Sequence, residues 1–305
     1  MASTINAINA TKSPRMSLAA VTRGQVSKPH RVLIYGPEGV GKTTFAASAP
    51  DPIIIGTEDG SGALDVPRFP RPESWGDVLE AVDALTAKGH DYRTCVIDSL
   101  DWAEPMVWAH VCAASSKSSI EDFGFGKGYV EALNEARKLL AALERMQSVA
   151  GMHVVIIAHA HLRKFANPSG EDWDRWTTKT NDKLGGAVRE WADAVLFANW
   201  EQYAAEVDGR TKGVSTGRRV LHTTKTAAFE AKNRFALPDE IDLSWAGFAK
   251  AVERNRQAPQ EIRDLLAGDA EKTAKFDAWA TKSPPLHELV AMRDRLIADR
   301  KGTTK

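Results

Sequence analysis

Residues Gly36-Pro-Glu-Gly-Val-Gly-Lys42-Thr43 follow the apolar run Val32-Leu-Ile-Tyr35 and precede the helix-forming run Thr44-Phe-Ala-Ala-Ser-Ala. The spacing G-x-x-x-x-G-K-[ST], placed between a buried strand and a helix, is what a phosphate-cradling loop requires. Glycines let successive backbone N–H groups curl around phosphate oxygens, and the start of the following helix adds positive potential. The expected nucleotide-binding set is therefore Gly36, Pro37, Glu38, Gly39, Val40, Gly41, Lys42, Thr43 and Thr44. Lys42 would reach the β- and γ-phosphates, and the Thr43 hydroxyl would hold Mg²⁺ alongside ATP.

A chain of 305 residues can bury a full α/β core with room for an appendage. Forty basic and forty acidic residues cancel, so contact with nucleic acid must come from local loops and not from a global basic charge. Cys95 and Cys112 fall in a strand-like and a helix-like run, which suits reduced core thiols in a cytosolic protein. No apolar run approaches membrane-spanning length. The first 28 residues are rich in Ser, Thr and Ala and carry basic but no acidic residues. Such a segment reads as a flexible basic arm, with an organellar transit peptide as the alternative.

Short apolar runs alternate with helical patterns, the signature of a parallel sheet with crossover helices. The expected strands are Val32–Tyr35, Ile53–Thr57, Thr94–Asp98, His153–His159 and Ala194–Ala198. Helices are expected after the cap Ser74, from near Asp101, and from Tyr129 to about Val149, with Trp102, Trp108 and Trp191 on apolar faces. From Asn199 to about Thr224 the pattern becomes antiparallel, with a turn at Asp208-Gly209. The ATPase core is expected over residues 29–257, and a helical tail over 258–305, broken at Ser283-Pro284-Pro285.

Three further elements complete the expected site. Cys95-Val-Ile-Asp98 is a hydrophobic strand ending in an acid, so Asp98 would hold Mg²⁺ at one remove, through water. Glu58 follows the second strand, where hydrolysis needs a group to orient or deprotonate water, with Asp59 as the runner-up. His159 ends an apolar strand; it either reports on the γ-phosphate or is a histidine satisfied at a strand end. His159 and His161 lack a third partner for a metal site.

Together these elements resemble the RecA-like ATPases. So does Ala231-Lys232-Asn233-Arg234-Phe235, which is similar to the Lys-Asn-Arg-Phe motif of that group. More narrowly, Thr57-Glu-Asp-Gly, Val96-Ile-Asp-Ser-Leu-Asp-Trp, Phe123-Gly-Phe-Gly-Lys-Gly-Tyr129 and Glu190-Trp-Ala-Asp-Ala-Val resemble phage-encoded RecA-like AAA-family ATPases grouped with single-strand annealing recombinases. The likeness covers about residues 28 to 250. It implies a five-stranded core in the order 5-1-4-3-2, ATP hydrolysis in a bacterial host cytoplasm, single-stranded DNA as partner, and a homo-oligomer. Lys232 and Arg234 would then act in trans on a neighbour's γ-phosphate, where a cation stabilises developing charge. No separate helix-hairpin-helix DNA-binding domain is visible in the sequence, a departure from the larger cellular recombinases.

In such proteins DNA lies on loops after the third and fourth strands, here about residues 114–128 and 160–182. The candidate contacts are Lys127, Arg163, Lys164, Trp173, Arg175, Trp176 and Lys179, cations for backbone and aromatics for stacking. Glu171, Asp172, Asp174 and Asp182 nearly cancel the cations, so the two tryptophans have a second reading as pins that hold a loop. Annealing or strand pairing is the leading functional expectation. A helicase- or loader-like motor, and a nucleotide-regulated module whose tail recruits a single-strand-binding protein, are the alternatives.

Overall fold

The computed structural model describes residues 16–21, 28–87, 89–207 and 210–302. Most of the basic arm and the Asp208-Gly209 turn lie outside the described residues.

Five strands form a parallel sheet: β1 (Arg31–Gly36), β2 (Pro52–Gly56), β3 (Thr94–Asp98), β4 (His153–Phe165) and, after β5 (Trp173–Thr178), β6 (Ala194–Val207). Their order across the sheet is β2-β3-β4-β1-β6, with every neighbouring pair parallel. That is the 5-1-4-3-2 order expected, with β6 as the fifth parallel strand. Beyond β6 the sheet turns antiparallel through β7 (Arg210–His222) and β9 (Glu240–Asp242), while β8 (Lys232–Asn233) pairs with the start of β6.

The strands are apolar throughout because both faces are covered. Leu33, Tyr35, Ile55, Ile97, Val154 and Ile156 face α2 (Trp75–Thr86), α3 (Leu100–Ala114), α4 (Lys127–Ala150) and α5 (Asp182–Trp191). Their alternates Val32, Ile34, Ile54, Val96, Val155 and Ile157 face α1 (Lys42–Ala47) and α6 (Trp245–Arg256). Period two along each strand thus feeds two cores in an α/β/α sandwich. Ser74 caps α2 as expected, accepting from the Asp77 N–H while Asp77 accepts in return from the Ser74 N–H. Trp108 and Trp191 pack on the first core, but Trp102 is 52% exposed on the outer face of α3. The buried face of α3 runs through Ala103, Val107 and Val111, one position further along the helix, which turns Trp102 to its edge.

Residues 160–182, expected as an open loop, form instead a hairpin of the end of β4 with β5, registered from Ala160 opposite Thr178 to Phe165 opposite Trp173. Asn167-Pro-Ser-Gly170 supplies its turn. The adjacent charged pairs Arg163-Lys164 and Asp174-Arg175 interrupt the period-two pattern that marks a strand.

After α6 the chain continues through α7 (Ala258–Leu266), α8 (Ala270–Ala280) and α9 (Leu286–Gly302). These helices enclose a small core of Ala258, Ile262, Leu266, Phe276 and Leu289. Buried Arg293 of α9 ties them back, donating to the Arg254 carbonyl and to Asn255 Oδ1, both at 3.1 Å. Among the described residues no helix is long and apolar enough to cross a membrane.

Candidate nucleotide site and its couplings

Parallel strands deliver their carboxyl ends to one edge of the sheet, and the residues after β1, β2, β3 and β4 therefore meet there. The turn after β1 takes left-handed backbone at Gly39 and Gly41, with φ of 72° and 107°, which only glycine adopts without strain. Gly36 is glycine for a different reason: a Cβ there would lie 2.1 Å from the Ala198 carbonyl oxygen of β6. The Lys42 ammonium is buried and donates to the carbonyls of Gly36 and Pro37 at 3.0 and 2.9 Å. Burial lowers its pKa, and Asp98, Asp101 and Glu58 oppose that shift. Thr44 is exposed on α1, next to the loop.

Thr43 Oγ1 donates to Asp98 Oδ2 at 2.9 Å, joining the loop to the end of β3. The other Asp98 oxygen is buried without a partner. Burial pushes the Asp98 carboxyl up to about 6, against the pull of the Thr43 hydrogen bond. Among the described residues no cluster of three or more His, Cys, Asp or Glu is placed to hold a metal alone. A lone hydroxyl with one orphaned carboxylate oxygen instead suits Mg²⁺, which keeps waters and shares phosphate oxygens.

Thr57 positions the next carboxylate. Its hydroxyl accepts the Ser99 N–H at 2.9 Å and donates to the Ser99 carbonyl at 2.7 Å, clasping the ends of β2 and β3. The Asp98–Ser99 peptide within this clasp is cis. Glu58, the next residue, is thereby held with Oε2 3.3 Å from the Ser99 hydroxyl and 3.8 Å from His159 Nδ1. Asp59 is exposed.

His159 is fixed by a residue that the sequence reading had placed only as a helix start. Asp101 accepts both the His159 N–H and its Nδ1, each at 2.9 Å. The Asp101 hydrogen bond raises the His159 pKa despite burial. Burial works against ionisation of Asp101, but the two bonds from His159 prevail and hold its carboxyl below the ordinary range. The visible clue was the Asp98-Ser-Leu-Asp101 spacing, which puts a second acid in the first turn of the helix leaving the Asp98 strand.

Lys232 and Arg234 are not near their own chain's phosphate loop; they stand at the amino end of the sheet. The Lys232 ammonium donates to the carbonyls of Arg189, Glu190 and Ala192 at 2.7–2.9 Å, capping the end of α5. Arg234 pairs at 3.1 Å with Asp193, which also takes a two-pronged grip from Arg31. The Arg234 side chain remains 52% exposed.

Of the residues expected on DNA, Trp173, Arg175 and Trp176 are turned into the molecule. Trp173 Nε1 donates to the Ala227 carbonyl at 2.8 Å, and Trp176 stacks on Phe197. Arg175 lies over the Phe165 ring and pairs with Glu230 at 2.8 Å. They pin the hairpin against residues 225–230, the second reading offered above for the tryptophans. Arg163 is exposed but paired with Asp182, whereas Lys127, Lys164 and Lys179 are exposed and outside any ion pair among the described residues. Beside Lys127, Phe125 is fully exposed on a left-handed turn with φ of 50°.

A profile of the AAA domain family matches residues 28–235. The SPbeta prophage-derived uncharacterized protein YorG of Bacillus subtilis (strain 168) is 28% identical over 249 residues, which span 74% of this chain and 68% of that protein. The crystal structure of the RadB recombinase superposes with a TM-score of 0.41 at 13% identity, covering 72% of this chain and 90% of that one. The match takes in every element of the site from the phosphate loop to Arg234, and the parallel strands run in the order that the RecA-like resemblance implies, so the chain belongs to the AAA domain family.

Proposed function

We propose that this protein is an oligomeric ATPase that binds single-stranded DNA and promotes annealing or strand pairing in phage DNA metabolism. One observation carries the catalytic half: the Thr43–Asp98 contact, with its orphaned carboxylate oxygen, lies at the same sheet edge as Glu58 and His159. The loop N–H groups and Lys42 bind the triphosphate, and Thr43 and Asp98 would hold Mg²⁺. The ion, when bound, neutralises charge on the β- and γ-phosphate oxygens. Glu58 orients a water and takes its proton during attack on the γ-phosphate. Ser99 and the Asp101–His159 pair keep Glu58 in place. Arg234 of an adjacent protomer supplies the trans cation; its half-exposed guanidinium supports that reading better than Lys232, whose ammonium caps α5.

The DNA half rests on exposed Phe125 and Lys127 at the start of α4 and exposed Lys164 and Lys179 on the β4–β5 hairpin and just after it. The test is ATP turnover with and without single-stranded DNA for wild type, Lys42→Ala and Glu58→Gln. Stimulation of wild type, loss of nucleotide binding in Lys42→Ala, and retained binding with at least a roughly hundredfold slower turnover in Glu58→Gln are expected. Normal turnover by both variants removes the mechanism. An unstimulated but active wild type removes the DNA partner and leaves the ATPase.

A further inference from the structure

Glu58 follows β2, Asp98 ends β3 and His159 lies in β4 opposite the end of β1, all on one side of β1. On the other side, β7 brings a cation to the same loop. Arg219 Nη1 donates to the Val40 carbonyl at 3.4 Å. A Cβ built on Gly41 would lie 2.8 Å from that nitrogen, so the guanidinium covers the loop at its left-handed glycine. The strand holds it there: Arg219 is opposite Trp200 in the β6–β7 register, and its neighbours Val220 and Leu221 are fully buried. Adjacent Arg218 is committed to Glu201, Glu240 and Asp242. Arg219 has no carboxylate within ion-pair distance among the described residues and is exposed. An anchored guanidinium without a counterion, beside a phosphate cradle, has a planar fork suited to two phosphate oxygens.

We propose that Arg219 binds the α- and β-phosphates of the nucleotide in cis. The inference rests on the ATPase reading above and extends it. Because Arg219 approaches from the side opposite the carboxylates that surround the γ-phosphate, it grips the part common to ATP and ADP. It therefore sets affinity for both nucleotides, and it leaves the chemical step to Glu58. It also ties the β6–β7 hairpin to nucleotide occupancy, since loading the loop draws the guanidinium off the Val40 carbonyl.

The experiment is titration of the full chain with fluorescent ADP and with a non-hydrolysable ATP analogue, both with Mg²⁺. Wild type, Arg219→Ala, Arg219→Lys, Arg218→Ala and Lys42→Ala are compared. Arg219→Ala is expected to weaken both nucleotides by a similar factor, roughly tenfold to a hundredfold. Arg219→Lys, keeping charge but not the fork, is expected to fall between, and Arg218→Ala to bind as wild type. If Arg219→Ala does not fold, the lysine variant decides alone, and wild-type affinity in it overturns the proposal. Unchanged ADP affinity, or weakening confined to the ATP analogue, overturns it while leaving the ATPase reading intact. Absence of binding by wild type, indistinguishable from Lys42→Ala, sinks the ATPase reading and this proposal with it.

Discussion

Both carboxylate oxygens of Glu104 lie 2.9–3.0 Å from the backbone nitrogen of Asn181, the residue that caps α5. One turn earlier on the same helix, Asp101 holds His159. The β4–β5 hairpin runs between His159 and Asn181, so α3, which starts next to Asp98, grips both of its ends. A change at the nucleotide can reach the hairpin through one rigid element with two discrete contacts.

Glu104 makes the clamp sensitive to pH. Burial lifts its carboxyl from 4.5 to about 7, with Asp101 adding to the rise and the Asn181 bond opposing it. A carboxyl raised in the folded state costs stability as pH climbs from the unfolded value toward the folded one, because the unfolded chain ionises first. Relative to Glu104→Gln, wild type should lose about 1–3 kcal/mol between pH 4.5 and about 7, then no more. Melting temperatures of both proteins at half-unit pH steps would show it. A constant difference between them across that range contradicts the assignment.

The Asp101–His159 pair also loses stability as pH rises, but as a favourable interaction that fades and not as a cost of ionising a buried carboxyl. His159 is raised above 6.5, chiefly by the Asp101 hydrogen bond, so its stabilisation is complete below 6.5 and fades as pH rises through the folded value. Replacing Asp101 with Asn should bring the His159 titration, followed by NMR of the imidazole carbon protons, back to or below 6.5. Turnover should fall with it, because Glu58 loses a fixed neighbour 3.8 Å away. An unmoved titration curve would show that Asp101 does not tune the histidine.

Gly36→Ala tests why the loop begins with glycine. The added methyl would collide with the backbone oxygen of Ala198 at 2.1 Å, and neither β1 nor β6 can shift without breaking their parallel register. A loss of about 1–3 kcal/mol in denaturant unfolding is expected even with no nucleotide present. A variant as stable as wild type but defective in nucleotide binding would mean that phosphate approach alone demands the glycine.

The strands, their order and the phosphate loop were legible because each rests on local signals: apolar runs bounded by turns, and a motif in strand–helix context. Glu58 and Asp98 were legible as acids at strand ends. Arg219 and Glu104 were not, since each acts across a long-range contact that no spacing encodes. Arg219 meets Val40 only through the β6–β7 pairing, and Glu104 meets Asn181 only once the hairpin closes. The hairpin itself was hidden because the adjacent charged pairs Arg163-Lys164 and Asp174-Arg175 break strand alternation and read equally as a polar loop. Trp173 and Arg175 carried the right chemistry for nucleic acid but found partners within the chain, Ala227 and Glu230, that composition could not reveal.

Lys232 and Arg234, adjacent in the same motif, should separate by phenotype. Lys232→Met removes three hydrogen bonds from the end of α5 and is expected to cost about 1–3 kcal/mol in the isolated chain. Arg234→Ala removes a half-exposed partner of Asp193, which Arg31 still neutralises, so stability should change by less than about 1 kcal/mol. Equal destabilisation by both would assign Arg234 a structural task as well.

If Arg234 acts on a neighbouring protomer, its loss should be repairable by a different defect. Arg234→Ala keeps an intact phosphate loop but offers no cation; Lys42→Ala keeps the cation but cannot hold nucleotide. Each alone should turn over ATP at least roughly a hundredfold more slowly than wild type. Action in trans around an assembly would need a head-to-tail interface, and an equal mixture would then create junctions that pair the good loop of one variant with the good arginine of the other. With random assembly these make up about a quarter of all junctions. Mixing should therefore restore measurable hydrolysis, rising with total protein concentration as the oligomer forms. Recovery requires the two residues to meet across chains, because neither variant contains both. A mixture no more active than its components, under conditions where wild type assembles, would return Arg234 to its salt bridge with Asp193 and leave the active site to be completed within a single chain.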